Sequence, residues 1–95
     1  MIKHVYLIKL KDPARARGVA DRLLGMRDAI PEILDMEVGL DFRGTPTSYD
    51  VCEICTFATR EDFEVFGRHP RHQQIRDYID SVQQQIAKAD YELPD

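Results

Sequence analysis

Ile2-Lys3-His4-Val5-Tyr6-Leu7-Ile8-Lys9-Leu10 is the stretch whose reading decides the fold. Side chains of a strand alternate between faces. Ile2, His4, Tyr6, Ile8 and Leu10 therefore share one face, and Lys3, Val5, Leu7 and Lys9 the other. The middle of the stretch is apolar on both faces, as a strand inside a sheet must be. Tyr49 to Phe57 repeats the pattern, with Val51, Glu53, Cys55 and Phe57 on one side and Cys52 and Ile54 on the other. Leu34, Met36, Val38, Leu40 and Phe42 instead alternate with Asp35, Glu37, Gly39 and Asp41, which is the pattern of an edge strand. The breaker-rich run Arg43 to Ser48 joins this edge strand to the Tyr49 strand.

Two helical segments complete the chain. Asp12 is a good N-cap and Pro13 suits the first helical position. Ala16, Val19, Leu23, Met26 and Ile30 then recur at helical spacing until Pro31 stops them. Gly18 and Gly25 each weaken this helix by about 1 kcal/mol relative to alanine, either as close-packing sites or as tolerated defects. Thr59 with Asp62 resembles a capping box for a short helix carrying Phe63 and Phe66 and closed by Gly67. His69 stands at the N-cap ahead of Pro70. The following helix has the stripe Ile75, Ile79, Val82 and Ile86, and stepping back three residues from Ile75 puts His72 on the same buried face. Ala89 to Leu93 reads as a short final strand with Tyr91 inward, ended by Pro94.

The order strand, helix, strand, strand, helix, strand is that of an α+β, ferredoxin-like βαββαβ fold with a four-stranded antiparallel sheet, over residues 1–95 as a single domain. Strands 1 and 3 become central, and the alternating strand 2 and the short strand 4 become edges. Both helices cover one face of the sheet. Val5, Leu7, Cys52 and Ile54, or their opposite-face counterparts, are then left uncovered, and an apolar face of that kind marks an interaction surface. Two such sheets packing face to face would bury on the order of 1,000 Å² or more, so a homodimer is expected.

Composition narrows the function classes. Apolar residues at 43% and charged residues at 32% are ordinary for a globular chain. A net charge of −4 and a pI near 5.3 disfavour nucleic acid as a partner. Arg15, Arg17, Arg22 and Arg27 of the first helix are interspersed with Asp12, Asp21 and Asp28, so they form a solvated face. No apolar run approaches the roughly 20 residues a membrane span needs, and no secretory leader pattern opens the chain. No membrane partner and a cytoplasmic location are expected. Cys52 and Cys55 have a Cys-x-x-Cys spacing, but residues three apart on a strand point to opposite faces, and no second pair exists to complete a zinc site. His69 and His72 do not form a helical His-x-x-x-His pair. Neither a metal nor a cofactor is expected.

The chain resembles the stress-responsive α/β-barrel (Dabb) domain family. The resemblance rests on Ile2-Lys3-His4-Val5 leading to Lys9-Leu10-Lys11-Asp12, and on Ala29-Ile30-Pro31 followed by Val38-Gly39. Ser48-Tyr49-Asp50, His69-Pro70-Arg71-His72 and Asp90-Tyr91 complete it. It implies two sheets packing as a dimeric α/β barrel, with a pocket between each sheet and its helices. Some plant members are polyketide cyclases that use a tyrosine and a histidine in that pocket. The histidine falls on His72 and the first-strand pocket histidine on His4. The tyrosine falls on Phe66, which has no hydroxyl, so that activity does not transfer.

The residues themselves point to the same corner. His72 sits on a buried stripe near a helix N-terminus, where the dipole favours a neutral imidazole. If strand 1 turns its face with His4 and Tyr6 toward the helices, these two join it. Glu53 is the one charged residue among Val51, Cys55 and Phe57, and a buried carboxylate needs a partner. His72, His4 and Glu53 are the candidate acid/base group, and Tyr6, Ile8, Val19, Leu23, Phe66 and Ile75 the expected pocket lining. The expected function is binding of a small apolar or aromatic molecule. The alternatives are a cofactor-free enzyme, cyclase-like or monooxygenase-like, using His72 with His4 or Glu53, and a purely structural dimeric stress protein.

Overall fold

The apolar runs and caps resolve into nine elements in a computed structural model that describes residues 1–94. Strand β1 spans Ile2–Leu10, and a 3-10 turn, Pro13–Arg15, leads into α1 (Ala16–Leu24) and α2 (Met26–Ala29). Then come β2 (Asp35–Leu40), β3 (Val51–Phe57), α3 (Arg60–Arg68), α4 (Pro70–Val82) and β4 (Gln83–Glu92). The strands make one antiparallel sheet in the order β2-β3-β1-β4. The two strands apolar on both faces are thus the central ones.

The helix starts are where the capping residues place them. Asp12 accepts from Ala14 N at 3.1 Å, Thr59 from Asp62 N at 3.1 Å, and His69 Nδ1 from Arg71 N at 3.0 Å with Pro70 opening α4. Each satisfies one of the amides that the first turn of a helix leaves free. The first long helix is broken at Gly25 into α1 and α2. A Cβ there would lie 3.2 Å from Arg71 Nη2 and 3.3 Å from the Arg22 carbonyl, so this glycine is a close-packing site. Gly18 has open space around it among the described residues. Gly44, at φ 63°, adopts the left-handed conformation that the turn after β2 requires.

Three expectations about the C-terminal segment are corrected. Helix α4 ends at Val82, so Ile86 is a strand residue and not the last rung of the helical stripe. Strand β4 is ten residues long, not a short piece from Ala89, and it pairs along the whole of β1 from Ile2↔Glu92 to Leu10↔Gln83. Pairing across β1, rather than the local apolar spacing, sets where the helix stops. It also sets the phase of the strand: Tyr91 is opposite Lys3 and so lies on the uncovered face, 47% exposed, while Ile86, Lys88 and Asp90 face the helices.

The core lies between the helices and one face of the sheet. Ile2, Ile8 and Leu10 of β1 and Val51, Cys55 and Phe57 of β3 are buried there with Val19, Leu23, Phe66, Ile75 and Ile79. Val5, Leu7, Cys52 and Ile54 are only half-buried on the opposite, helix-free face.

Candidate functional site

On the helix side the core is incompletely filled. A cavity of about 190 Å³ opens between the sheet and the α3–α4 corner. His4, Tyr6 and Glu53 supply part of its floor from the two central strands, and Ile86, Lys88 and Asp90 continue it along β4. Phe63 and Phe66 of α3 and His72, Ile75 and Arg76 of α4 form the opposite wall, with Leu23 closing one side. The position of each polar group follows from periodicity. His4, Tyr6 and Glu53 alternate onto the covered face, and His72, Arg76 and Asp80 step along one side of α4 at four-residue intervals.

His4 is the hub. Its Nδ1 bonds the Asp90 carboxylate, so Nδ1 carries the hydrogen, and its Nε2 lies 3.5 Å from Glu53 Oε1. That second separation is long for a hydrogen bond. The ring packs against Phe63 and Phe66 with centroids 5.4 and 5.8 Å away. Glu53 is 2% exposed. Burial pushes its carboxyl up to about 7, with the neighbouring Cys55 thiol acting in the other direction. Its Oε2 has no hydrogen-bond partner among the described residues.

His72 occupies the other wall. Its Nδ1 donates to the Gly67 carbonyl at 3.2 Å, and because a carbonyl can only accept, this bond fixes the hydrogen on Nδ1. Burial lowers its pKa against the opposing effect of that bond. The neutral ring therefore presents a bare Nε2 acceptor. Phe66 packs against both histidines, 4.3 Å from the His72 ring and 5.8 Å from the His4 ring. Burial, then the charges of Asp80 and Glu53, raise the Tyr6 hydroxyl pKa, so it too stays protonated.

The structure thus brings His4, His72 and Glu53 to one cavity, with His4 and Glu53 adjacent and His72 apart from both. Tyr6, Leu23, Phe66 and Ile75 border the cavity. Ile8 and Val19 do not. Both are 0% exposed in the closed core, where close packing leaves no room beside them. Asp90, Lys88, Arg76 and Phe63 also border the cavity. Arg76 could have been found one helical turn on from His72, and Phe63 one turn before Phe66. Asp90 and Lys88 depended on the phase of β4. Among the described residues no three His, Cys, Asp or Glu side chains are grouped so as to hold a metal ion, and no helix is long and apolar enough to cross a membrane.

Sheet order, helix placement and cavity define a helix-covered ferredoxin-like α+β protein. The chain belongs to the Stress responsive A/B Barrel Domain family (Dabb), which it matches over residues 2–93. No functionally curated protein matches it. Among solved structures it is similar to a dimeric protein of unknown function and ferredoxin-like fold from Bacteroides fragilis, at 21% identity and a TM-score of 0.83, covering 97% of this chain and 95% of that one. It is similar to a Dabb family protein from Mesorhizobium loti at 19% identity and a TM-score of 0.76, with 99% and 97% covered. It is also similar to the hydroxynitrile lyase of Passiflora edulis at 14% identity and a TM-score of 0.85, with 98% and 93% covered. At these identities the likeness is one of fold.

Proposed function

We propose that this protein is a dimeric binder of a small, largely apolar or aromatic molecule, held in the cavity between sheet and helices. The observation that carries this reading is a cavity of about 190 Å³ walled by Phe63, Phe66, Leu23 and Ile75, with His4 and Glu53 on its floor. A dry cavity of about 150 Å³ accommodates benzene, so the space here suits one ring with a small substituent. Few, convergent polar groups in an apolar enclosure are the usual form of a small-molecule site. A purely structural role needs no such cavity.

The adjacency of His4 and Glu53, with a neutral His72 opposite, favours cofactor-free acid/base chemistry as a second reading: Glu53 can hold a proton near neutral pH and His72 Nε2 can accept one. The Passiflora edulis neighbour is an enzyme, a hydroxynitrile lyase, which supports this use of the fold. Phe66 in place of the tyrosine speaks against the plant cyclase pair.

Dimerisation is supported by the half-buried Val5, Leu7, Cys52 and Ile54 on the helix-free face, by Phe42 standing 94% exposed beside it, and by the dimeric Bacteroides fragilis neighbour. The two free thiols, Cys52 and Cys55, suit the cytoplasmic setting expected from the sequence.

Ligand-observed NMR with a set of single-ring compounds tests the binding reading. Compounds of that size bind the wild type, and Ile86→Trp, which fills the cavity from its half-exposed β4 wall, abolishes the signal. Binding that survives Ile86→Trp, or no binding by any ring compound, would contradict it.

A further inference from the structure

The helix-free face of the sheet carries a recess and, beside it, a large apolar side chain that nothing in the chain covers. Leu7 is opposite Cys52 across β1 and β3, and Cys52 is opposite Gly39 across β3 and β2, so the three form one row. Ala87 of β4 continues the row beyond Leu7. Alanine, cysteine and glycine are small, so the surface sinks along this row. At its β2 end lies a shallow depression of about 430 Å³, bordered by Leu7, Gly39, Cys52 and Tyr49 and, at the rim, by Phe42.

The backbone does not require a glycine at position 39. Among the described residues only Gly44 has a positive φ, so β2 would accept a β-branched residue there without strain. A Cβ on Gly39 would meet nothing within 4 Å beyond its chain neighbours. A glycine inside a strand weakens it, and often marks a place where a ligand or another chain comes close. Phe42 is the counterpart. It is 94% exposed, yet the turn that carries it is braced on both sides. The Asp41 amide donates to the Asp50 carbonyl at 3.0 Å, and the Asp41 carboxylate accepts from Gly44 N at 2.6 Å.

Resting on the dimer proposed above, we infer that the two protomers exchange Phe42, each ring seating in the partner's depression above its glycine. In a two-fold contact residue i meets j and j meets i, so a knob and a recess side by side on one surface are satisfied together. A second copy is therefore the occupant that this surface specifies. Aromatic side chains are enriched at protein interfaces, and a ring on a braced turn loses little freedom on docking. The contact is continuous with Val5 and Ile54, the next pair along the same face, on which the dimer would pack.

Sedimentation of the full chain tests the exchange. Phe42→Ala should raise the dimer dissociation constant about 30-fold or more, as truncation of an interface anchor does. Gly39→Leu, which fills the depression, should weaken the dimer as much. Both variants keep the protomer fold, because Phe42 is exposed and the space above Gly39 is open. The two variants are then mixed at a concentration where each alone is monomeric, and they should pair. The Gly39→Leu protomer still offers Phe42, and the Phe42→Ala protomer still has an open depression, so the mixed dimer keeps one seated ring. Either variant dimerising as tightly as the wild type, or a mixture that stays monomeric, would overturn the exchange while leaving the dimer intact. A wild type that sediments as a monomer at micromolar concentration would overturn the dimer and this inference with it.

Discussion

Burying Glu53 between Val51 and Cys55 destabilises the fold whenever its carboxyl ionises. The folded-state value of about 7 lies above the ordinary 4.5, so between those two values the folded chain holds a proton that the unfolded chain has released. Stability is therefore fully present below about pH 4.5 and falls as pH rises through about 7, by up to about 3 kcal/mol. Thermal unfolding from pH 5 to pH 8 should show that fall in the wild type and a much flatter profile in Glu53→Gln. A wild-type profile that rises over this range would contradict the assignment. His4 bonds the Asp90 carboxylate and packs against Phe63 and Phe66, so His4→Ala removes that bond and leaves a void, and should lower stability by about 2 kcal/mol in urea denaturation. A change below about 0.5 kcal/mol, the size of an ordinary surface substitution, would show that the Asp90–His4–Glu53 row contributes little.

At the scale of elements, the two helical glycines behave differently. Gly18 lies within α1 with open space around it, so Gly18→Ala should stabilise by about 1 kcal/mol through helix propensity alone. Gly25 faces Arg71 and the Arg22 carbonyl too closely for the same gain. His69→Ala should lower stability by about 1 kcal/mol by removing the cap on Arg71 N, and His69→Asn should restore most of it. Equal denaturation midpoints for the alanine and asparagine variants would mean that the cap does not matter. Elements marked by local chemistry were legible in the sequence: Asp12, Thr59 and His69 announce helix starts, and the two-faced strands announce the sheet centre. The end of α4 was not, because Ile86 continues the spacing of Ile75, Ile79 and Val82. What makes 83–92 a strand is its pairing along β1, more than seventy residues away in sequence, and an exposed edge strand carries little apolar alternation of its own.

For the whole molecule, the sheet divides the work. One face with its helices encloses the cavity, and the other leaves Val5, Leu7, Cys52 and Ile54 half-buried, the surface on which the proposed dimer would pack. Leu7→Glu should therefore shift sedimentation from dimer to monomer, since like charges would meet across a face that packs on itself. A wild type that sediments as a monomer at micromolar concentration would remove the dimer from the account. The candidate site was legible as far as face arithmetic reaches: His4 shares a face of β1 with Tyr6, Glu53 shares one of β3 with Val51, Cys55 and Phe57, and His72 lies on the helical stripe. Periodicity alone does not say which face of the sheet the helices cover. Asp90 and Lys88 were hidden with the phase of β4, and Ile8 and Val19 were assigned to the cavity because no spacing rule separates a core residue from one that borders a void. The most direct measurement is a crystal structure of the protein grown with a single-ring aromatic compound. The ring is expected in the cavity between sheet and helices, against Phe63 and Phe66. A ring found on the helix-free face, or a cavity left without it at saturating compound, would contradict the binding function.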